Sequence, residues 1–351
     1  MIAKIKEWLD KELPFVVYRK PAETIRYGWF QQDDKLNITS ELTQSCFVFA
    51  PFASDEKVVF FPDGCQLISD DSDFDVAFSQ ENIPLENPKT DKLFHIELVT
   101  KGIKAIQSVT MEKVVLSRRE EIAVDEKDYS VYFQRFLKKY LTAFVYWFYH
   151  PKVGMWLGAT PEQLVKITDT KVKTVALAGT QLDKGFDLNQ IIWGEKEQKE
   201  QQIVTDFIVD SLKPFAKKIH QTEPFTHCAG SLLHIKTDIE SELSNEKMAY
   251  EVIKNLHPTP ALCGFPKDVS KDFIIANEGY DREYYGGFLG EWKFDHGAKS
   301  QNSDLFVNLR CMKIEGNKVY LFLGGGINED SDPESEYNET VNKSKTVKSI
   351  L

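Results

Sequence analysis

Two short stretches of the chain set a pair of glutamates one helical turn apart beside a lysine. In the first, Glu336 and Glu339 are three residues apart and Lys343 follows four further on, so on a helix all three lie along one stripe. In the second, Glu197 and Glu200 repeat that spacing within Glu195-Lys196-Glu197-Gln198-Lys199-Glu200. Taken singly, each is an ordinary solvated helix face with local charge pairs. Taken together, two helices that each present a Glu-x-x-Glu pair could meet around one cation, and an oxygen-only donor set favours magnesium over zinc. Magnesium keeps several waters and binds few protein carboxylates together with an anionic substrate, so one glutamate from each helix would suffice. Just upstream of the first helix, Gly324-Gly325-Gly326 offers backbone amides to an anion.

The elements that must carry these groups have their own signals. Pro333 suits a first helical position, Ser331 or Asp332 can accept from the free amides behind it, and Ser331 with Glu334 has capping-box spacing. The periodicity of Ile203, Val204, Phe207, Ile208 and Leu212 predicts a helix from about Glu195 to Leu212, ending before Pro214. Further helices are predicted over Asp91 to Val109 and Asp128 to Phe144. Strands are predicted at Cys46–Phe49, Lys57–Phe61, Lys113–Leu116, Val165–Ile167, Lys173–Ala176, Leu305–Met312 and Val319–Leu323. Because strands and helices do not alternate regularly, the expected fold is α+β with large mixed or antiparallel sheets rather than a doubly wound one. No linker or low-complexity tract divides the chain. Residues 1–90 are expected to be a more variable N-terminal part of the same domain, and 91–351 the region that carries the chemistry.

Composition narrows the classes. With 351 residues, 42% hydrophobic and 28% charged, the chain has the balance of an ordinary soluble globular protein. A net charge of −11 argues against nucleic acid as the main partner, since phosphate binding needs a basic face. The most apolar stretch, Leu141 to Tyr149, is too short to span a membrane and suits a core helix or strand. The start of the chain lacks the apolar segment of a signal peptide, so cytoplasmic residence is expected. Five scattered cysteines without a C-x-x-C pair indicate neither a disulfide framework nor a zinc site. Neither a P-loop signature nor G-x-S-x-G occurs.

Between the helices lie further short motifs, in this order: Lys113-Val114-Val115-Leu116-Ser117-Arg118; Ala159-Thr160-Pro161-Glu162-Gln163-Leu164; Leu177-Ala178-Gly179-Thr180; Leu233-His234; Leu256-His257-Pro258-Thr259-Pro260-Ala261-Leu262-Cys263-Gly264; Arg282-x-x-Tyr285-Gly286-Gly287; and Asn308-Leu309-Arg310. The ordered set, over about residues 105 to 351, resembles the chorismate-utilising enzymes and most closely the isochorismate synthases. The resemblance implies an α/β sandwich with a deep central site, magnesium dependence, and chorismate as substrate. It also implies roles. Lys113 matches the lysine that activates water, and Glu162 the general acid that protonates the departing hydroxyl. Glu200 and Glu339 match the magnesium ligands, with Glu197 and Glu336 as outer or water-mediated partners. Arg310, Tyr285 and the amides of Gly324, Gly325 and Gly326 match the cradle for the enolpyruvyl carboxylate, with Lys343 near the metal-bound carboxylate. Thr180, His234, Thr259 and Ala261 match substrate-contacting positions. The Gly-Gly-Gly run departs from the Gly-Ala-Gly of many relatives, a change that backbone amides tolerate.

Salicylate synthases form the same intermediate and then eliminate pyruvate, with nearly the same residues. Anthranilate and aminodeoxychorismate synthases use ammonia from a glutaminase partner and generally lack the water-activating lysine, so Lys113 speaks against them and no glutaminase subunit is expected. A non-catalytic chorismate-binding regulator would need neither Lys113 nor Glu162. A monomer or weak homodimer is expected.

Overall fold

Strands that are apolar on both faces need cover on both faces. Phe15–Arg19, Arg26–Phe30 and Cys46–Ala50 are buried at every position. The computed structural model describes residues 1–53, 58–78, 89–183, 185, 187–229, 232–294, 296 and 302–351, and it meets that demand with two sheets packed face to face and helices on both outer faces.

In chain order the strands are β1 (Phe15–Arg19), β2 (Arg26–Phe30), β3 (Ile38–Thr39), β4 (Cys46–Ala50), β5 (Val58–Pro62), β6 (Gln66–Asp70), β7 (Lys113–Ala123), β8 (Phe144–His150), β9 (Gly154–Thr160) and β10 (Gln163–Thr168). They continue with β11 (Lys171–Leu182), β12 (Ala216–Gln221), β13 (Phe225–Ala229), β14 (Leu232–Leu243), β15 (Gly264–Phe265), β16 (Phe288–Trp292), β17 (Asn302–Val307), β18 (Cys311–Glu315) and β19 (Lys318–Ile327). The α-helices are α1 (Ile2–Asp10), α2 (Lys89–Gln107), α3 (Ser130–Lys139), α4 (Glu195–Leu212), α5 (Ala249–Leu256), α6 (Lys267–Asn277) and α7 (Pro333–Lys348). Among the described residues one sheet runs β15-β7-β19-β18-β9-β8-β1-β2-β6, and the other β12-β14-β11-β10-β17-β16-β4-β5-β3 with β13 paired to β14. These pairings are antiparallel. The fold is a single α+β domain, and its first seventy residues supply strands to both sheets. No helix among the described residues is long and apolar enough to cross a membrane.

Period-two alternation sorts the core. Tyr18, Trp29, Phe144, Tyr146, Phe148 and Trp156 of the first sheet meet Phe47, Phe49, Phe61, Leu289 and Phe306 of the second. Phe49 stacks on Phe148 with ring centroids 4.3 Å apart, and Phe144 on Phe306 at 4.4 Å. One residue along, Phe15, Val17, Val145 and Trp147 face outward onto α1, α3 and the end of α7. The outer face of the second sheet packs on α4 and α5 through Val204, Ile208, Val252 and Leu256. α2 and α6 cover β7.

Several elements differ from the sequence expectation for identifiable reasons. The helix expected to reach Phe144 stops at Lys139, because the aromatic and β-branched run that follows pairs as β8. The single strand expected over Leu305–Met312 is two strands in different sheets, β17 and β18, with Arg310 at φ 49° in the crossing. Asn308 holds that crossing: its Oδ1 accepts from Tyr146 Oη at 2.6 Å and its Nδ2 donates to the Tyr284 carbonyl at 2.8 Å. The α7 cap is Asp332, which accepts from the Ser335 amide at 2.9 Å. The Ser331–Glu334 box is not formed: Ser331 donates to Glu336 at 2.7 Å, and Glu334 pairs with Lys92 at 2.7 Å. Lys57, expected to open a strand, lies outside the described residues.

Close backbone approach between β4 and β16 is a fold requirement open to test. A Cβ at Gly287 would lie 1.9 Å from the Ala50 carbonyl oxygen, whereas one at Gly64 meets nothing within 4 Å. Gly287→Ala should lose about 1–3 kcal/mol or more in urea unfolding, and Gly64→Ala should stay within about 0.5 kcal/mol of wild type.

Candidate active site

Three residues without side chains let the charged groups converge. Gly324, Gly325 and Gly326 of β19 pair with Ser117, Leu116 and Val115 of β7. Leu321 and Leu323 belong to the cluster that includes Val347 of α7, and Phe322 to the cluster between the sheets. By alternation Gly325 faces α7, while Gly324 and Gly326 face the sandwich interior. A Cβ at Gly325 would lie 3.3 Å from Glu336 Oε2 and 3.9 Å from Glu339 Oε1. At Gly326 it would lie 3.1 Å from Lys113 Cε and 3.6 Å from Glu200 Oε1, and at Gly324 2.7 Å from Tyr285 Oη. The strand is thin enough to be approached from both sides.

Each of the two leading carboxylates meets a lysine. Lys113, the first residue of β7 and only 6% exposed, pairs with Glu200 Oε1 at 2.5 Å. Lys343 pairs with Glu339 Oε1 at 2.5 Å and donates to the Gly324 carbonyl at 2.8 Å. Burial pushes the Glu200 carboxyl up, but the Lys113 ammonium more than offsets it and holds the group below its ordinary range. Burial pulls Lys343 down against the attraction of Glu339. Glu336 is raised by burial; the Ser331 hydroxyl opposes that shift and neighbouring Glu339 adds to it.

Glu162 is placed differently. It follows Pro161 in the turn between β9 and β10, and its carbonyl accepts from the Val307 amide at 2.9 Å. Glu162 lines a recess with Leu164, Thr174, Thr259 and, from α4 and α5, Val204 and Leu256. Burial raises its carboxyl to about 7, against the pull of Arg310 and Lys113, so near neutrality it retains a large share of its proton. Thr259 is 7% exposed, and its hydroxyl has no hydrogen-bond partner among the described residues. Arg310 is lowered by burial, with Tyr285, Glu339 and Glu162 acting in the opposite sense. Tyr285, 4% exposed and raised by burial, stacks on Phe322 at 5.4 Å.

The remaining expected residues are placed less centrally. His234 Nδ1 lies 2.9 Å from the Gly179 carbonyl, and burial lowers its pKa; a bond to a carbonyl requires the proton on Nδ1. Glu197 packs against Gly179 and turns its carboxylate back over Gly194 at the start of α4. Thr180 is a residue of β11 whose side chain lies outside the described ones.

Sequence reading assigned no role to the residues that hold this site. Glu278, 1% exposed, accepts from the Ser117 amide at 2.7 Å, the Ser117 hydroxyl at 3.0 Å and Arg282 Nε at 2.7 Å. Arg282 also donates to the Val115 carbonyl at 2.7 Å and the Leu262 carbonyl at 3.0 Å. One buried ion pair thus ties β7, the loop carrying Thr259 and the turn carrying Tyr285. The i,i+4 spacing of Glu278 and Arg282 was the available signal, but it begins at the C-cap of α6 and reads as a helix-end pair.

Residues 65–351 match the family model described as chorismate binding enzyme, and the chain belongs to that family. Isochorismate synthase EntC of Escherichia coli (strain K12) is 30% identical over 263 residues, 73% of this chain and 66% of the relative. The chain spans about two thirds or less of the length of the curated relatives it matches, with shares of 66%, 41% and 61% in three of them. Among solved structures, the menaquinone-specific isochorismate synthase MenF from Escherichia coli superposes with a TM-score of 0.79 at 21% identity, covering 96% of this chain and 88% of that one. Anthranilate synthase component I from Streptococcus pneumoniae TIGR4 gives 0.71 at 18% identity, covering 95% and 90%. Both establish the shared fold, and because their reactions differ the fold by itself does not choose between them.

The raised carboxyl of Glu162 has a stability signature. Between the ordinary glutamate pKa of 4.5 and about 7 the folded state binds more protons than the unfolded one, so this group's contribution falls as pH rises through that window and is constant above it. Glu162→Gln removes that loss. Its stability relative to wild type should grow by on the order of 2 kcal/mol from pH 4.5 to pH 8, measured by urea unfolding at each pH; a constant difference would mean that Glu162 titrates normally.

Proposed function

We propose that the protein is an isochorismate synthase that converts chorismate to isochorismate by adding water at ring carbon 2 and expelling the hydroxyl from carbon 4. The observation that carries this is the pairing of a buried lysine, Lys113, with an acid held partly protonated, Glu162, in one site. Exchange of two hydroxyls across a ring needs a base on one side and an acid on the other. Lys113 is the base: once its ammonium, paired with Glu200 here, has lost a proton to solvent, the neutral amine can take one from the attacking water. Glu162 is the acid and gives its proton to the departing hydroxyl. Arg310, Tyr285 and the amides of Gly324 to Gly326 grip the enolpyruvyl carboxylate, with the planar guanidinium suited to two oxygens at once. Lys343, Thr180, His234, Thr259 and Ala261 would complete the contacts to the substrate, a reading supported at Thr259 by a buried hydroxyl that has no partner among the described residues.

The donor set fits magnesium. Glu200 and Glu339 would hold it, with Glu336 and Glu197 outside them. These are hard oxygens only, and Glu336 is raised partly because Glu339 lies beside it, a repulsion that a divalent cation relieves. Among the described residues no three acidic, histidine or cysteine side chains form a ready-made cage, so water and substrate would have to supply most of the ligands. When bound, magnesium would neutralise the ring carboxylate and draw electron density toward it.

We further propose that residues 91–351 carry the chemistry, and that the enzyme works in the cytoplasm as a monomer or weak homodimer. Without a glutaminase subunit or nucleic acid partner, it would feed menaquinone or siderophore biosynthesis. The net charge of −11 supports the absence of a nucleic acid partner.

Purified protein incubated with chorismate and magnesium should give isochorismate by chromatography, with little salicylate. Stoichiometric pyruvate would instead identify a salicylate synthase, and no conversion would leave a chorismate-binding regulator. Lys113→Ala should still bind substrate while turnover falls by roughly a hundredfold or more. Glu200→Gln and Glu339→Gln should abolish turnover with the fold intact by circular dichroism; full activity in excess chelator would contradict the metal assignment.

A further inference from the structure

Each of the two leading glutamates is followed in sequence by a buried polar residue that is bonded to a strand of the sheet its helix covers. Gln201 follows Glu200. It is 2% exposed, and its Nε2 donates to the Ala176 carbonyl on β11 at 3.0 Å and to the Thr237 hydroxyl on β14 at 3.2 Å. Thr340 follows Glu339. It is fully buried, and its hydroxyl accepts from Arg118 Nε on β7 at 2.7 Å while donating to the Tyr337 carbonyl at 2.7 Å. Arg118 is in turn fixed by Glu120 at 3.0 Å, and Glu120 by Lys348 at the far end of α7. Arg118 also lies over the Tyr337 ring, 5.3 Å from its centroid.

Neither contact is what a stability-driven core would choose. Among the described residues Gln201 Oε1 and Arg118 Nη2 are buried without hydrogen-bond partners, a cost that apolar side chains of similar size would avoid. Polar contacts do what apolar ones cannot: a directional bond to one strand atom fixes both the rotation and the axial position of a helix. Apolar packing alone tolerates sliding. With no long side chain at Gly324 to Gly326 to act as a stop, α4 and α7 lack that other restraint at the place where their carboxylates must meet.

Resting on the function proposed above, we propose that Gln201 and the Arg118–Thr340 pair are positioning residues that set the separation and orientation of Glu200 and Glu339. They touch neither substrate nor metal. Their effect is on how well two separate helices present one cation site, so it falls on metal affinity and on the rate at limiting metal more than on the fold.

The test uses the full chain with Gln201→Met, Thr340→Val and the conservative Thr340→Ser. Thermal unfolding reports the fold, calorimetric magnesium titration reports the site without turnover, and crystal structures of the variants report the carboxylate positions. Gln201→Met and Thr340→Val should fold, bind magnesium about tenfold more weakly, and need correspondingly more of it for half-maximal rate, with kcat at saturating magnesium changed much less. Thr340→Ser should restore wild-type affinity. Folded variants whose carboxylates superpose on wild type and whose magnesium affinity is unchanged would overturn the proposal. If the wild type failed to convert chorismate, the function would fall, while the carboxylate positions in the variant crystals would still decide this claim.

Discussion

The rest of the site depends on balancing buried charge. Lys113, Glu200, Glu336, Glu339 and Lys343 gather around the glycine end of β19, with Glu162 and Arg310 on neighbouring turns, and charges withdrawn from water persist only when paired, neutralised or bonded. The protein uses all three means. Glu200 and Glu339 are paired with lysines at 2.5 Å, Glu336 takes a bond from Ser331, and Glu162, which among the described residues has no lysine or arginine at ion-pair distance, is raised toward neutrality. Glu200 is held below its ordinary range while Glu162 and Glu336 are raised, a separation of the kind that suits carboxylates to different tasks.

Geometry makes this balance achievable. Gly324 to Gly326 remove the side chains that would otherwise separate the groups on α7 from those between the sheets. The crossing at Asn308–Arg310 moves the chain from one sheet to the other and leaves Arg310 at the seam. Behind them, the Glu278–Arg282 pair ties three segments of the site wall with bonds of 3.0 Å or less. The large aromatic layer between the sheets holds the two halves of the sandwich together.

Much of the chemistry was legible in the sequence because it is local. Helical periodicity gave α4 its observed bounds, and the spacing of Glu336, Glu339 and Lys343 put the Glu339–Lys343 contact on one face. The ordered motifs also pointed to the right family. What could not be read was non-local. Nothing in Leu305–Met312 marks a change of sheet, since alternation continues across it and only Asn308, bonded to Tyr146 some 162 residues away, reveals it. The pairing of Lys113 with Glu200 joins residues 87 apart, and sequence spacing carries no information about such contacts. Glu197 and Glu200 looked equivalent by spacing, and only the packing of Gly179 and Gly194 distinguishes them.

The central claim is that Lys113 and Glu162 exchange hydroxyls with solvent from opposite sides of the ring, and the fate of the oxygen tests it most directly. Chorismate should be converted in water enriched in oxygen-18, and the product analysed by mass spectrometry with the label located on the ring. The account predicts one labelled oxygen, on carbon 2, and loss of the original carbon 4 oxygen to the solvent. Isochorismate that retained only unlabelled oxygen would mean that the hydroxyl migrates within the substrate, and the paired roles of Lys113 and Glu162 would be wrong.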